Sequence, residues 1–293
     1  MGKKINKTPL LTPEFWSKAW DEAKARSTVL DNQVNDDKWL DFWNSISDNY
    51  LENVRQDSKL INQIVSAIKK EGLISNTSRV LDIGAGPGTY SIPIAKNVFH
   101  VTAIDQAQRM LDNLLSEARE RKIHNIDTLC CKWQDCNYNE EFDLVLAAFS
   151  PAINDASSLL KMNKAAIKFA CVITFSRIDD FSFKIRNDLW KMIAGKPFIS
   201  EGFRVIYPFN FLYTSGFRPQ LRIFKYRIKF KKLAQQLITQ YEDYFRIFVN
   251  LQKKHKDIIQ DYFNGISEQG IIKAQTTREI YVMWWDVKDK KEE

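Results

Sequence analysis

The sequence is poor in the residues that interrupt or cross-link a chain. Its 293 residues include 10 glycines, 8 prolines, 4 cysteines and 3 histidines. So little glycine and proline excludes a collagen-like repeat or a flexible Gly/Pro-rich chain. Four cysteines are typical of a protein with reduced thiols and not of a disulfide framework. No stretch approaches the length of apolar sequence, about 18 residues, that a membrane-spanning helix requires.

The composition that remains is that of a folded protein with a large core. Hydrophobic residues make up 44% of the chain, and the formal net charge is +7. The N-terminus, Met1 to Lys4, is basic, but no apolar segment of a signal peptide follows it. We therefore expect a cytoplasmic protein with no membrane partner. Taken alone, the positive charge is weak evidence for an RNA partner, and a lysine-rich surface is the better explanation.

The first quarter of the sequence has the periodicity of helices. Thr12 followed by Pro13 is typical of a helix start, with Thr12 as the N-cap. Tryptophans, leucines and isoleucines then recur at helical spacing, and Gly72 is predicted to end the last of these helices. We expect residues 1–75 to form a helical N-terminal cap.

The middle of the sequence alternates short apolar strands with helices. The predicted strands are 79–83, 98–104, 127–132, 142–149 and 169–175, and the predicted helices between them are 89–96, 107–122 and 155–167. This alternation predicts parallel strands joined by right-handed crossovers, with helices on both faces of the sheet.

The last third of the sequence has a different pattern. Residues 221–231 alternate between apolar and basic side chains, which predicts an edge strand with one face in water. Residues 233–264 are predicted to be a helical insertion, and residues 279–286 the final strand. Together with the middle region, these elements predict an α/β fold with seven strands.

One segment combines a buried strand with a glycine-rich turn. Residues 80–90 read VLDIGAGPGTY, in which three alternate glycines lead into a helix. The glycines let a ligand approach the backbone, and the helix start offers N–H groups and a positive dipole end. The spacing differs from the G-x-G-x-x-G of dinucleotide sites. Asp82 would repel a pyrophosphate, whereas it would attract a cationic group.

This segment resembles motif I of the class I S-adenosylmethionine-dependent methyltransferases. Asp105 follows the glycines at the end of the second strand, about 20 residues on, where an acid can bind ribose hydroxyls. The resemblance covers residues 75–176 well. It implies a doubly wound, mostly parallel, seven-stranded Rossmann-like sheet in residues 76–293, with the N-terminal extension and the insertion forming a cap.

The resemblance also implies S-adenosyl-L-methionine as the cofactor and gives roles to single residues. Met110 would lie against the adenine, and Asp135 would accept a hydrogen bond from the adenine amino group. Tyr50 would lie by the methionine end, or would only pack between helices. The predicted cofactor-binding residues are Tyr50, Asp82, Gly84, Ala85, Gly86, Gly88, Asp105, Gln106, Met110, Trp133, Gln134, Asp135 and Ala148.

The acceptor is less well defined. Phe149-Ser150-Pro151-Ala152 follows the fourth strand. Enzymes that methylate adenine amines or glutamine amides resemble one another in carrying Asn/Asp-Pro-Pro-Tyr there, so we do not expect those acceptors. The predicted substrate-binding residues are Trp39, Trp43, Ser150 and Asn154. As alternatives, the tryptophans belong to the core of the cap, and Asn154 or Asp155 caps the next helix.

No metal site is expected. Carboxylates with the spacing of metal ligands are absent from the sequence. Cys130, Cys131 and Cys136 lack a C-x-x-C spacing, so we expect them to be buried apolar residues.

The predicted function is in-line transfer of a methyl group to a small molecule. Holding the acceptor near the methyl carbon is enough for such a reaction, so the sequence identifies no catalytic residue. One alternative is an RNA or protein methyltransferase that uses the basic face of residues 225–231. Others are a cofactor-binding protein without activity and a nicotinamide oxidoreductase.

Overall fold

A computed structural model describes residues 12–31, 36–176, 181–201 and 204–290. The basic residues Met1 to Lys4 lie outside these ranges. The α-helices are α1 (Pro13–Ala25), α2 (Thr28–Asp31), α3 (Asp36–Gln56), α4 (Ser58–Lys70), α5 (Ser91–Ala95), α6 (Gln108–Glu120), α7 (Ala156–Ala165), α8 (Phe181–Ala194), α9 (Ile206–Thr214), α10 (Ala234–Arg246) and α11 (Lys253–Gly265). The strands are β1 (Arg79–Ile83), β2 (His100–Asp105), β3 (Ile126–Cys130), β4 (Phe142–Ala148), β5 (Ala166–Ser176), β6 (Gln220–Leu233) and β7 (Ile271–Asp286).

The seven strands form one sheet in the order β3-β2-β1-β4-β5-β7-β6. The first five are parallel, and β7 runs antiparallel between β5 and β6. The central strand β1 is buried from Val80 to Ile83, as expected for a parallel strand with helices on both sides. The predicted doubly wound, mostly parallel α/β fold is confirmed.

Helices cover both faces of the sheet. On one face, the apolar stripe of α4, with Leu60, Ile64 and Ile68, packs against the sheet together with α5 and α6. On the other face, α7 and α9 pack with Trp20 of α1. A third apolar cluster joins α8, α10 and α11 beside the sheet. Helix α1 begins as predicted, because the Thr12 hydroxyl accepts the Phe15 N–H at 3.4 Å.

The last two strands form a long antiparallel pair that differs from the prediction. Strand β7 begins at Ile271, eight residues before the predicted start at Glu279, because its first half pairs with β6 along its whole length. The predicted helix 233–264 is instead two helices, α10 and α11, separated by residues 247–252. Strand β6 lies at the edge of the sheet, as expected from its basic face.

None of the helices within the described ranges combines the length and the apolar surface that crossing a membrane would require. Helix α4 ends where the sequence indicates: Gly72, just after its C-cap, has φ +75°, a conformation that glycine adopts without strain.

Candidate cofactor site

The candidate site lies at the carboxyl edge of the parallel strands. Strand β1 lies between β2 and β4, so the residues that follow these three strands meet there. The N–H groups of Gly84 and Ala85 both donate to the carbonyl of Ile104, at 2.8 and 3.0 Å, and fix the turn after β1 to the end of β2. Open α/β sheets bind ligands at this edge, where the strand order reverses.

The three glycines of the turn have different reasons to be glycine. All have positive φ, +68° at Gly84, +55° at Gly86 and +84° at Gly88. A Cβ on Gly84 would lie 2.3 Å from the hydroxyl oxygen of Ser150, and one on Gly88 would lie 2.9 Å from side-chain carbons of Ile92. A Cβ on Gly86 would meet nothing within 4 Å. Gly84 and Gly88 are therefore required for packing, whereas Gly86 exposes its backbone to a ligand.

Asp82 is a buried carboxylate behind this turn. It is 1% exposed, and one oxygen, Oδ2, accepts the hydroxyl of Ser91 at 2.6 Å. The pKa of Asp82 is raised to about 6, chiefly by burial; the bond from Ser91 opposes this increase and the nearby Asp105 adds to it. The other oxygen, Oδ1, has no hydrogen-bond partner among the described residues. Such an oxygen fits a ligand that brings a cationic N–H donor.

Asp105 is already engaged by the backbone on both of its oxygens. Oδ2 accepts the N–H of Gly86, and Oδ1 accepts the N–H of Ala107, each at 2.9 Å. Burial raises the pKa of this carboxyl, while these backbone bonds lower it. Each carboxylate oxygen has a second lone pair, so Asp105 can accept two further hydrogen bonds from a ligand. The carboxylate thus links the glycine turn to the start of α6.

Tyr50 approaches the same region from α3. Its pKa is raised to about 12, chiefly by burial and then by the carboxylates of Asp105 and Asp57, while Arg278 opposes this increase. Its ring lies 6.3 Å from that of Trp43, edge to face. Tyr50 therefore lies near Asp105, and it also packs against Trp43 of its own helix.

The loop after β3 contains a one-turn 3-10 helix, Trp133–Asp135. The indole of Trp133 is 2% exposed, packs in the core and donates its N–H to the carbonyl of Ser158 at 3.3 Å. The ring of Trp133 is thus held by the core, and its contact with the cofactor stays a prediction. Gln134 and Asp135, in contrast, are exposed.

The remaining predicted cofactor contacts lie around the same edge. Met110 is buried in the first turn of α6. Gln106 and Ala148 are partly exposed at the ends of β2 and β4. The structure thus brings the glycine turn, Asp105, Gln106 and Tyr50 together, and the cofactor contacts of these side chains stay predictions.

Comparison with known proteins agrees with this geometry. Residues 80–168 match the family described as a methyltransferase domain. By this match, residues 80–168 form a methyltransferase domain. An uncharacterised protein of Haemophilus influenzae is 31% identical over 103 residues, which cover 34% of this chain and 38% of that protein. The alignment therefore spans well under half of this relative.

Solved structures share the fold at low sequence identity. A Bacillus halodurans protein assigned to the methyltransferases has 14% identity and a TM-score of 0.52, covering 78% of this chain and 99% of that one. The YcgJ protein of Bacillus subtilis has 12% identity and a TM-score of 0.50, covering 78% of this chain and 98% of that one. These similarities concern the fold.

The predicted acceptor contacts of the methyltransferase domain do not converge. Trp39 and Trp43 stack 6.1 Å apart, and Trp39 packs edge to face on Tyr244 and Phe248, in a cluster between α3 and α10. This result favours the alternative that they belong to the core of the cap. Trp20, in contrast, packs with α7 and α9 on one face of the sheet.

Ser150 and Asn154 are held by the protein itself. Ser150 packs directly on Gly84 of the glycine turn. The amide of Asn154 is 8% exposed, accepts the ammonium of Lys24 at 2.8 Å and donates to the carbonyl of Pro151 at 2.9 Å. The prediction that Asn154 binds the acceptor is therefore not supported. The alternative of helix capping is confirmed for Asp155, which forms a capping box with Ser158.

Three residues beside the glycine turn were given no role by the sequence analysis: Ser91, Phe149 and Phe175. Ser91 anchors Asp82, and a hydroxyl one turn into the helix after the glycines is a signal for such an anchor. Phe149 has φ +53° and stacks on Phe175 with ring centroids 4.0 Å apart. Its neighbour across the strands could not be identified from the sequence, because the contact depends on the pairing of β4 with β5.

Arg278 was also missed by the sequence analysis. It lies in β7 opposite Tyr226, its guanidinium is 5.8 Å from the ring centroid of Phe175, and it donates to the hydroxyl of Ser182 at 3.4 Å. It therefore places a positive charge near Tyr50 and the end of β5. Nothing in the local sequence distinguishes it from the other cations of this hairpin.

The cysteines are less buried than predicted. Cys130 is exposed, so the prediction of a buried apolar role is wrong for it, whereas Cys131 and Cys136 are partly buried and pack against the apolar cluster that contains α7 and α9. The sulfurs of Cys131 and Cys136 are 3.0 Å apart. Across the described ranges, no group of three histidine, cysteine, aspartate or glutamate side chains is arranged to hold a metal ion.

Proposed function

We propose that this protein transfers the methyl group of S-adenosyl-L-methionine to a small-molecule acceptor. One observation carries the proposal: a buried oxygen of Asp82 has no hydrogen-bond partner among the described residues. It lies beside the glycine turn, in which Gly86 donates its N–H to Asp105. A ligand with an ammonium group at one end and a ribose farther along would satisfy both carboxylates. A pyrophosphate at this turn would be repelled by two acids.

The residues of the chain would hold such a cofactor in an extended form. Asp82 would accept its ammonium, Asp105 its ribose hydroxyls, and the exposed carboxylate of Asp135 its adenine amino group. The cofactor supplies an activated methyl group with a good leaving group. The protein must then orient the acceptor and exclude water, so proximity accounts for much of the acceleration.

The acceptor side of the site favours a small molecule. Helix α3 lies over the start of α6, where Asn44 accepts the N–H of Arg109 at 3.2 Å. From the other side, Ser182 of α8 reaches Arg278. We propose that residues 1–75 and the insertion at 233–264 together form a cap over the Rossmann-like sheet of residues 76–293. We also propose that Phe149 and Phe175 contact the acceptor. A closed cap of this kind excludes a polymer.

The RNA and protein alternatives receive less support from the basic strand. Lys225 forms an ion pair with Glu279 at 2.7 Å, and Arg222 of the same strand pairs with Glu71 at 2.9 Å. Cations that are neutralised within the protein contribute little to phosphate binding. The place of β6 at the edge of the sheet gives its basic side chains a further role that needs no ligand.

The test is methyl transfer from labelled cofactor in a cell extract. The pure protein is incubated with methyl-labelled S-adenosylmethionine and the extract, and the products are separated by a small-pore filter. We expect label in the filtrate, where mass spectrometry identifies the acceptor. Label that stays with macromolecules and is released by ribonuclease or protease would contradict the small-molecule proposal.

The cofactor assignment has its own test at Asp105. Asp105→Ala should weaken binding of S-adenosylhomocysteine by about 1–3 kcal/mol, because it removes hydrogen bonds to a charged group. Since the change also leaves the N–H groups of Gly86 and Ala107 unpaired, Asp105→Asn, which retains one oxygen, is measured beside it. Asp127→Ala, at an exposed acid in β3, is the matched control. Equal affinities of the wild type and Asp105→Ala for S-adenosylhomocysteine in calorimetry would exclude a ribose contact from Asp105.

A further inference from the structure

The loop after β3 has a thiol at each end. Cys131 follows the strand directly, and Cys136 follows the 3-10 turn. Their sulfurs lie 3.0 Å apart, and the sulfur of Cys136 also lies 3.4 Å from the carbonyl oxygen of Lys132. The two sulfurs would have to approach by about 1 Å to reach the length of a disulfide bond.

The rest of the loop already holds the two thiols in place. The N–H of Cys131 donates to the carbonyl of Asp105 at 3.0 Å, and the N–H of Cys136 donates to the carbonyl of Trp133 at 3.3 Å. The ammonium of Lys161 donates to the carbonyls of Trp133 and Gln134, both at 2.7 Å. A short rotation of the side chains is therefore enough to join the sulfurs, and the backbone need not move.

Cys130 is close in sequence but lies on the other side of the chain. Successive residues of an extended chain point in opposite directions, and the thiol of Cys130 approaches the carbonyl of Gln106 at 3.5 Å instead. Cys171 is buried in β5. The geometry thus selects one pair among the four cysteines.

We propose that Cys131 and Cys136 are a site of oxidative modification, at which they form an intramolecular disulfide that fastens the loop bearing Asp135 in its present shape. Formation of the disulfide does not depend on the function of the protein. Its consequence for cofactor binding rests on the proposed function: because the backbone stays in place, the oxidised protein retains the affinity of the reduced one.

The oxidant would be a low-molecular-weight disulfide such as glutathione disulfide. Burial and the neighbouring Cys136 raise the pKa of Cys131 to about 12. One sulfur of the pair attacks the glutathione disulfide, loses its proton to water, forms a mixed disulfide and releases one glutathione. The other sulfur then attacks the mixed disulfide, loses its proton to water and releases the second glutathione. Two protein thiols are oxidised, and one glutathione disulfide is reduced to two thiols.

The test uses the full chain in mixtures of reduced and oxidised glutathione. Trypsin cuts after Lys132, between the two cysteines, so the disulfide joins two peptides that are separate in the reduced protein. We expect the joined peptides in the wild type and in Cys130→Ser, and not in Cys136→Ser. Free thiols throughout, or joined peptides that disappear in Cys130→Ser, would overturn the proposal.

Calorimetry with S-adenosylhomocysteine then tests the consequence. We expect the dissociation constants of the oxidised and reduced proteins to agree within about threefold. A weakening of about tenfold or more on oxidation would show that the bond distorts the loop and would overturn that part. Absence of binding by the reduced protein would instead refute the proposed function, and the joined peptides would still decide whether the disulfide forms.

Discussion

The buried carboxylate of Asp82 makes stability and cofactor affinity depend on pH in opposite ways. Its pKa in the folded protein is about 6, against 3.8 for the ordinary carboxyl group. The folded protein therefore binds this proton more tightly than the unfolded chain does. The resulting stabilisation is complete below the unfolded pKa and is lost as the pH rises through 6.

The difference between the two pKa values gives the size of the effect. Ionisation of Asp82 lowers the unfolding free energy by about 3 kcal/mol in total between low pH and about pH 7. About 1.4 kcal/mol of this decrease falls between about pH 5 and pH 7.5. Asp82→Asn keeps the shape and cannot titrate. Urea unfolding of both proteins at the two pH values should therefore show the wild type losing about 1.4 kcal/mol relative to the variant.

Binding of the cofactor should change with pH in the other direction. An ammonium group needs the ionised carboxylate, and at about pH 5 only about one Asp82 in eleven is ionised. Calorimetry with S-adenosylhomocysteine should therefore give a dissociation constant about tenfold higher at pH 5 than at pH 7.5, and little change in Asp82→Asn. Asp105 is present in both proteins, so the comparison isolates Asp82 together with its coupling to Asp105. The same pH dependence in wild type and variant would refute the pairing of Asp82 with the ammonium.

Two further predictions concern the packing around the site, each measured by urea unfolding at neutral pH. Gly84→Ala should lower the unfolding free energy by about 2–4 kcal/mol, because the new Cβ meets Ser150 as well as an unfavourable φ. Gly86→Ala, with the φ penalty alone, should cost about 1–2 kcal/mol, and equal losses would contradict the steric argument. Glu117→Gln should cost about 1–2 kcal/mol, since Glu117 is buried but its partners, Arg55 of α3 and Arg121 of its own helix, are 43% and 41% exposed. No loss would show that neither ion pair of Glu117 contributes to stability.

The sequence predicts the parallel half of the sheet well, because each strand there carries its own signal. Strand β1 is predicted to the residue, and β2 to β5 to within a few residues at each end. The first half of β7 was missed because Lys273, Gln275 and Thr277 alternate with small or apolar residues without a hydrophobic run, and its strand conformation depends on pairing with β6. The break between α10 and α11 carries no glycine or proline, so local sequence does not mark it.

The candidate site is predicted where a motif fixes the backbone and is missed where tertiary packing decides. Asp82, the glycines and Asp105 lie together because consecutive parallel strands end at one edge. Trp133 and Asn154 follow strands at the same edge, yet their side chains turn into the core and toward Lys24. Arg278 comes from the antiparallel hairpin, so its nearness to Tyr50 requires the complete sheet.

The attachment of α3 has a consequence for how the cofactor enters and leaves. Toward the methyltransferase domain, α3 is held up to Asp48 by exposed polar contacts, such as Asp36 with Lys132 at 2.5 Å and Asp48 with Arg109 at 3.4 Å. Exposed ion pairs contribute about 0–1 kcal/mol each. Toward α10, however, α3 shares the buried aromatic cluster of Trp39 and Phe42. Energetically, the first part of α3 belongs with the insertion, whereas its end is fixed to α6 by Arg55, so the cheapest opening separates only the first part of the helix from α6 and leaves the core intact during ligand exchange.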